Sequence, residues 1–149
     1  MKNLKKQTVK ILFLSLMLLN CSTFNLKAQN TIVNYSRLIT AIGTVESKLN
    51  DKAVNGVYAG FLQISKVTVK DCNRINKING VSKRYTLQDR FNRQKSIEMF
   101  HVIQMYYNPK GDLHYAILLW NEGSSAMDKA KRKTSYYNKV MKVYKNLKT

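Results

Sequence analysis

Acidic residues are what this chain has least of, with 8 Asp and Glu against 26 Lys and Arg. The resulting net charge of +18 calls for a polyanionic partner held by long-range attraction. Cysteine is nearly as scarce. Cys21 lies in an N-terminal segment with the marks of a removable leader, so Cys72 is left alone and no intramolecular disulfide can form. A cysteine nucleophile would need a histidine partner, and the spacing of His101 and His114 suggests none. No set of His, Cys and carboxylates has metal-ligand spacing, so no metal and no cofactor is expected. There is one proline, no internal repeat, and no apolar-polar alternation long enough to build a large sheet.

The start of the chain reads as an address for export. Lys2, Lys5, Lys6 and Lys10 precede the nine-residue stretch Ile11 to Leu19, which is apolar except for Ser15. A basic region followed by a short apolar one is a secretory signal, and nine residues are too few to span a bilayer. Ala28 offers a small residue at the cut, giving a leader over residues 1–28 and a mature domain over 29–149. Cys21 is the rival landmark, because Leu18-Leu19-Asn20-Cys21 loosely resembles a lipoprotein box. Soluble export to the periplasm or outside the cell is the main expectation, with a lipid anchor at Cys21 as the alternative. Loss of five leader lysines lowers the charge from +18 to +13 over about 120 residues, enough for one domain with a core. Export makes nucleic acid an improbable partner and anionic cell-wall polymer a good one.

The mature part reads as mainly helical. Ile32, Leu38, Ile39, Ile42, Val45 and Leu49 recur at helical spacing, with Glu46 near the end of that helix. Residues 52–59 form a loop turning at Gly56, and a second helix is expected from about Gly60 through Cys72 to Asn76. Asp89 to Tyr107 is the longest periodic run, stopped by Asn108-Pro109-Lys110-Gly111. Asp112 can cap a helix whose span Leu113 to Trp120 is apolar on nearly every side, the pattern of a central buried helix. Thr134 caps a last amphipathic helix bearing Tyr137, Val140, Met141 and Tyr144 on one face.

Three features carry possible chemistry. Glu46 stands among Ile42, Val45 and Leu49, and a carboxyl group with apolar neighbours at a cleft has its pKa raised, because burial disfavours charge. Such a group can hold a proton for a leaving oxygen, as glycosidic bond cleavage requires. Gly60-Phe61-Leu62-Gln63-Ile64 joins a glycine that permits close backbone approach to a glutamine with donor and acceptor. Leu119-Trp120-Asn121-Glu122-Gly123 ends an apolar helix in an aromatic ring, suited to stacking on a sugar, and an amide. Each alone has a plainer reading: an exposed glutamate, a turn, a packed helix end.

In this order they resemble the lytic transglycosylase domain of the lysozyme-like superfamily, of the soluble-transglycosylase type. Members show Glu-Ser at a helix end, here Glu46-Ser47, then an alanine and a small polar residue, here Ala53 and Asn55. A Gly-x-x-Gln-Ile/Leu element follows, here Gly60 to Ile64, and later Gly-Asp-Leu, here Gly111 to Leu113. An Ala-Tyr-Asn-x-Gly motif corresponds to Leu119 to Gly123, and a tyrosine four residues before a valine corresponds to Tyr136 and Val140. The departures are Trp120 for tyrosine, Leu119 for alanine, Leu62 for methionine, and Glu122 at a position that is commonly small.

The resemblance implies a lysozyme-like single domain that cuts peptidoglycan between N-acetylmuramic acid and N-acetylglucosamine. It makes Glu46 the catalytic acid and then base, and leaves a 1,6-anhydro ring on the product. Ser47 is assigned to hydrogen-bonding the reacting region or ordering Glu46. Gln63, Trp120 and Asn121 are assigned to the substrate, and Tyr136 to holding the Glu46 carboxyl. A monomer is expected, without stable membrane insertion. Two alternatives stay open: a lysozyme-type hydrolase using water, and a protein of the same fold that only binds glycan.

Overall fold

A computed structural model describes residues 35–129 and 132–147. The leader expected over residues 1–28 and the Cys21 anchor lie outside the described residues. From Arg37 onward the chain forms one compact, mostly helical unit. No helix among the described residues is long and apolar enough to cross a membrane.

The first helix, α1, is described over 35–47 and buries Leu38, Ala41 and Ile42. It ends because Lys48 and Leu49 turn left-handed, at φ 55° and 64°, and the Leu49 amide bonds back to the Gly43 carbonyl at 3.0 Å. A Schellman-like closure of this kind normally recruits glycine. Here Arg93 compensates, donating from Nη2 to the Leu49 carbonyl at 2.6 Å and from Nε to Asp51 at 3.2 Å.

Next comes a small antiparallel hairpin, β1 (Val54–Asn55) and β2 (Tyr58–Ala59), turning at Gly56 with φ 58°. The expected helix start at Gly60 is not observed. Residues 60–65 are a tight loop, pinned by an Ala59–Ile64 bridge, and α2 begins only at Lys66 and runs to Ile78. The deciding residue is Ser65, whose hydroxyl accepts from the Thr68 amide at 3.1 Å and caps the helix. Apolar Phe61, Leu62 and Ile64 are therefore core residues of a loop rather than one face of a helix.

The run from Asp89 is also divided. Gln88–Phe91 is a short 3-10 turn, and Asn92 caps α3 (Arg93–Tyr107) by accepting from the Lys95 amide at 3.0 Å. Asp112 caps α4 (Leu113–Glu122) from the Tyr115 amide at 2.6 Å, as expected. Tyr115 to Leu119 on α4 are all buried. A second 3-10 segment, Ser124–Lys129, leads toward α5 (Ser135–Asn146), which Thr134 caps from the Tyr137 amide at 3.0 Å.

The buried amides of Gln104 and Asn108 find partners. Gln104 is fully buried, donates to the Ala116 carbonyl at 3.1 Å, and accepts from Asn108 at 3.2 Å. Asn108 in turn ties both sides of the α3–α4 turn through Asp112. Cys72 is buried with its thiol pushed up to about 12, mainly by burial and then by the charge of Asp71, so it is an inert core residue.

Candidate active site

Helices α1 and α5 are tied at two points. Near one end Arg37 donates to the carbonyls of Tyr144 at 2.9 Å and Leu147 at 2.6 Å, capping the C-terminus of α5. At the other end the Tyr136 hydroxyl donates to Glu46 Oε1 at 2.6 Å. Nine residues separate the two tie points on each helix, counting Arg37 to Glu46 and Tyr136 to Lys145, which also accepts from Arg37. At 1.5 Å per residue both spans are about 13 Å, so two antiparallel helices meet the pair of constraints without bending.

Glu46 lies at the wall of a cleft of about 730 Å³. It is half-buried, and burial raises its pKa above the ordinary carboxylate range, with the Tyr136 hydrogen bond opposing. Tyr136 is itself pushed well above its ordinary value by burial and then by the Glu46 charge, so it stays a proton donor. Because Oε1 accepts from Tyr136, the carboxyl proton belongs on Oε2. Oε2 makes no hydrogen bond among the described residues. One oxygen is held and the other is available, the arrangement a proton-transferring carboxyl group needs.

The loop from Gly60 to Gln63 closes against the end of α1. Ser47 donates to the Phe61 carbonyl at 2.9 Å and to the Gly43 carbonyl at 3.3 Å. It does not line the cleft; its hydroxyl joins the loop to the helix end that carries Glu46. Gly43 makes room for this closure, since a Cβ there would meet the Phe61 ring at 2.7 Å. Gly60 is required more strictly: its φ is 78°, and a Cβ would stand 1.8 Å from the Arg90 carbonyl oxygen. Arg90 also donates from Nη1 to the Val57 and Ile64 carbonyls at 3.2 Å each, clasping hairpin and loop together.

Gln63 lines the cleft with φ 49°, a left-handed conformation that costs a non-glycine residue about 1–2 kcal/mol. Its side-chain amide donates to the Gly60 carbonyl at 2.8 Å, which offsets part of that cost. Trp120 also lines the cleft, tilted against Phe100 at 5.0 Å between ring centres. The indole N–H is used by the Leu62 carbonyl at 3.2 Å, so the ring is fixed and offers a face rather than a donor. Asn121 is exposed at the cleft edge. Of the six residues singled out from sequence, Glu46, Gln63, Trp120 and Asn121 line one cleft, Tyr136 reaches it through Glu46, and Ser47 stands behind it.

Residues 20–142 match the family described as Transglycosylase SLT domain. The chain belongs to that family. No curated protein and no solved structure matches it. Members of the SLT family carry a lytic transglycosylase type of activity on peptidoglycan, and the helical architecture agrees with their lysozyme-like fold. In this SLT domain Glu122, the departure at a usually small position, does not line the cleft and pairs with Arg132 at 2.6 Å. His114 packs on the Tyr137 ring at 4.1 Å, and His101 has its pKa lowered by burial.

The far wall of the SLT cleft was not anticipated. It is made by α2, through Ser65, Thr68, Lys70, Asp71 and Arg74, with Tyr107 from α3. Its signal in the sequence is Thr68, Lys70, Asp71 and Arg74 beside the exposed Val67, which read as ordinary solvated surface until the cleft beside them is known.

Proposed function

We propose that this protein is an exported lytic transglycosylase that cleaves the bond between N-acetylmuramic acid and N-acetylglucosamine in peptidoglycan. The observation that carries the reading is Glu46: a half-buried carboxyl group with raised pKa, one oxygen clamped by Tyr136 and the other free at a cleft. Asp71 is the other acid lining that cleft, and both its oxygens are engaged, by Arg74 at 2.8 Å and Tyr107 at 3.0 Å. Among the described residues lining the cleft no second carboxylate is left unengaged, which favours a single group acting twice.

In the first step the Glu46 proton moves to the glycosidic oxygen as the bond from C1 to that oxygen breaks. The carbonyl oxygen of the N-acetyl group on the same sugar bonds to C1 and holds the positive charge. In the second step the Glu46 carboxylate takes the proton of the C6 hydroxyl, O6 bonds to C1, and the N-acetyl oxygen leaves. The product carries a 1,6-anhydro ring, and Glu46 is protonated again. Trp120 supplies a fixed aromatic face for a sugar, and the amides of Gln63 and Asn121 face polar groups of the strand.

Purified sacculi digested with the protein and analysed by mass spectrometry test this. Anhydro muropeptides, lighter by one water than hydrolysed ones, are the expected product. Products bearing a reducing muramic acid would make the protein a hydrolase, and no release by folded protein would make it a glycan binder.

A further inference from the structure

We propose that Arg74 and Lys70 form a carboxylate-binding subsite on the α2 wall of the cleft, which takes the peptide stems carried by the glycan. This rests on the reading of the cleft as a peptidoglycan site and extends it from the sugars to what hangs from them.

Arg74 is held in place without being used up. Its Nε donates to Asp71 at 2.8 Å and its Nη2 to the Tyr107 hydroxyl at 2.9 Å, while Tyr107 donates on to Asp71 at 3.0 Å. The Tyr106 ring lies beneath, 5.2 Å from the guanidinium carbon. A guanidinium carries five N–H donors in a planar fork, so these bonds fix its plane and leave donors for a ligand. The side chain stays 46% exposed at the cleft, which a ligand site requires. Asp71 is the internal counter-charge that aims Arg74.

Lys70 stands one helical turn earlier on the same wall and makes no hydrogen bond or ion pair among the described residues. Lys70, Asp71 and Arg74 together keep one positive charge. Elsewhere the basic side chains beside acids are committed: Lys83 to Glu98, Lys95 to Asp89, Arg93 to Asp51. An uncommitted cation beside an oriented guanidinium in the glycan cleft suits an anion on the bound strand. N-acetylated sugars joined in a strand are uncharged, so the anions are carboxylates, those of the peptide stem or the lactyl carboxylate bared when the peptide is removed. A planar fork beside a point charge suits a carboxylate.

The test is binding of three soluble strands to wild type, Lys70→Gln and Arg74→Gln: peptide-bearing glycan, amidase-stripped glycan, and uncharged N-acetylglucosamine oligomers. Each charge-assisted contact is worth about tenfold in Kd. The expected result is about a tenfold loss on peptide-bearing strands in either variant, with the ratio to uncharged oligomers falling by the same factor. Lys70→Gln removes no internal contact, so its loss is not a folding effect. An equal loss on stripped strands assigns the carboxylate to the lactyl arm and overturns the peptide assignment. An equal loss on uncharged oligomers, or none on any strand, overturns the subsite. A wild type that shows the expected ratios but releases no muropeptide overturns the catalytic reading alone.

Discussion

At the scale of single residues, the proposed chemistry rests on two side chains, Glu46 and Tyr136. Glu46→Gln is isosteric and can still accept from Tyr136, but it has no proton to give. Acid-base catalysis is worth roughly a hundred- to ten-thousand-fold, so muropeptide release should fall at least that far while the fold and strand binding persist. Glu122→Gln is the matched control and should remain active, because Glu122 pairs with Arg132 outside the cleft. A dead Glu122→Gln beside an active Glu46→Gln would mean that the assignment had chosen the wrong carboxyl group. The pH dependence follows from the Glu46 shift. Its pKa is raised, so the protonated, acid-competent form survives to higher pH than for an ordinary glutamate, and activity is lost as pH rises through that value. Tyr136 opposes the shift by hydrogen-bonding the carboxylate. Tyr136→Phe should therefore move the alkaline limb of the pH–rate profile to higher pH. A limb that stays put, or moves down, would show that Tyr136 does not bond the ionised group in solution.

At the scale of elements, the loop between β2 and α2 matters most, because it brings Gln63 to the cleft and its carbonyls receive Ser47 and Trp120. Gly56 in the hairpin turn and Gly60 at the start of the loop both have positive φ, 58° and 78°, and different surroundings, which separates backbone strain from collision. Gly56→Ala adds a methyl group with nothing within 4 Å, so the cost is that of a left-handed alanine, about 1 kcal/mol. Gly60→Ala adds the same strain and drives Cβ to 1.8 Å from a backbone oxygen that cannot swing away. Urea unfolding should show a loss clearly larger than for Gly56→Ala, about 3 kcal/mol or more. Equal losses would mean that Arg90 and its 3-10 turn yield easily, contrary to the bonds Arg90 makes to Val57 and Ile64.

At the scale of the whole molecule, charge is the dominant property. The chain carries +18, and removal of the expected leader would still leave a large excess of lysine and arginine. Attraction of this kind is screened with a Debye length of about 10 Å at 0.1 M salt. Sedimentation with sacculi should show affinity falling steadily as ionic strength rises. Binding that is flat from low to high salt would mean that close contacts in the cleft, not the overall field, hold the substrate.

Much of the molecule is written locally. Helix caps at Asp112 and Thr134, the stop at Asn108-Pro109, and the central burial of α4 follow from side chains bonding to amides three residues away and from apolar periodicity. Glu46, Gln63 and Asn121 were legible as a motif in order and spacing. The sequence also set the charge. Three things were decided only by packing. Phe61, Leu62 and Ile64 are spaced well enough for a helix, but the approach of Arg90 to Gly60 and the Ser65 cap hold them in a loop. Ser47, adjacent to Glu46 in the chain, faces away because the helix rotates it toward the Phe61 carbonyl. The Arg74–Asp71–Tyr107 wall joins residues more than thirty positions apart, and no local rule couples a polar helix face to a tyrosine on the next helix. Local interactions reach only a few residues; which faces then meet across a cleft depends on how the helices share one core.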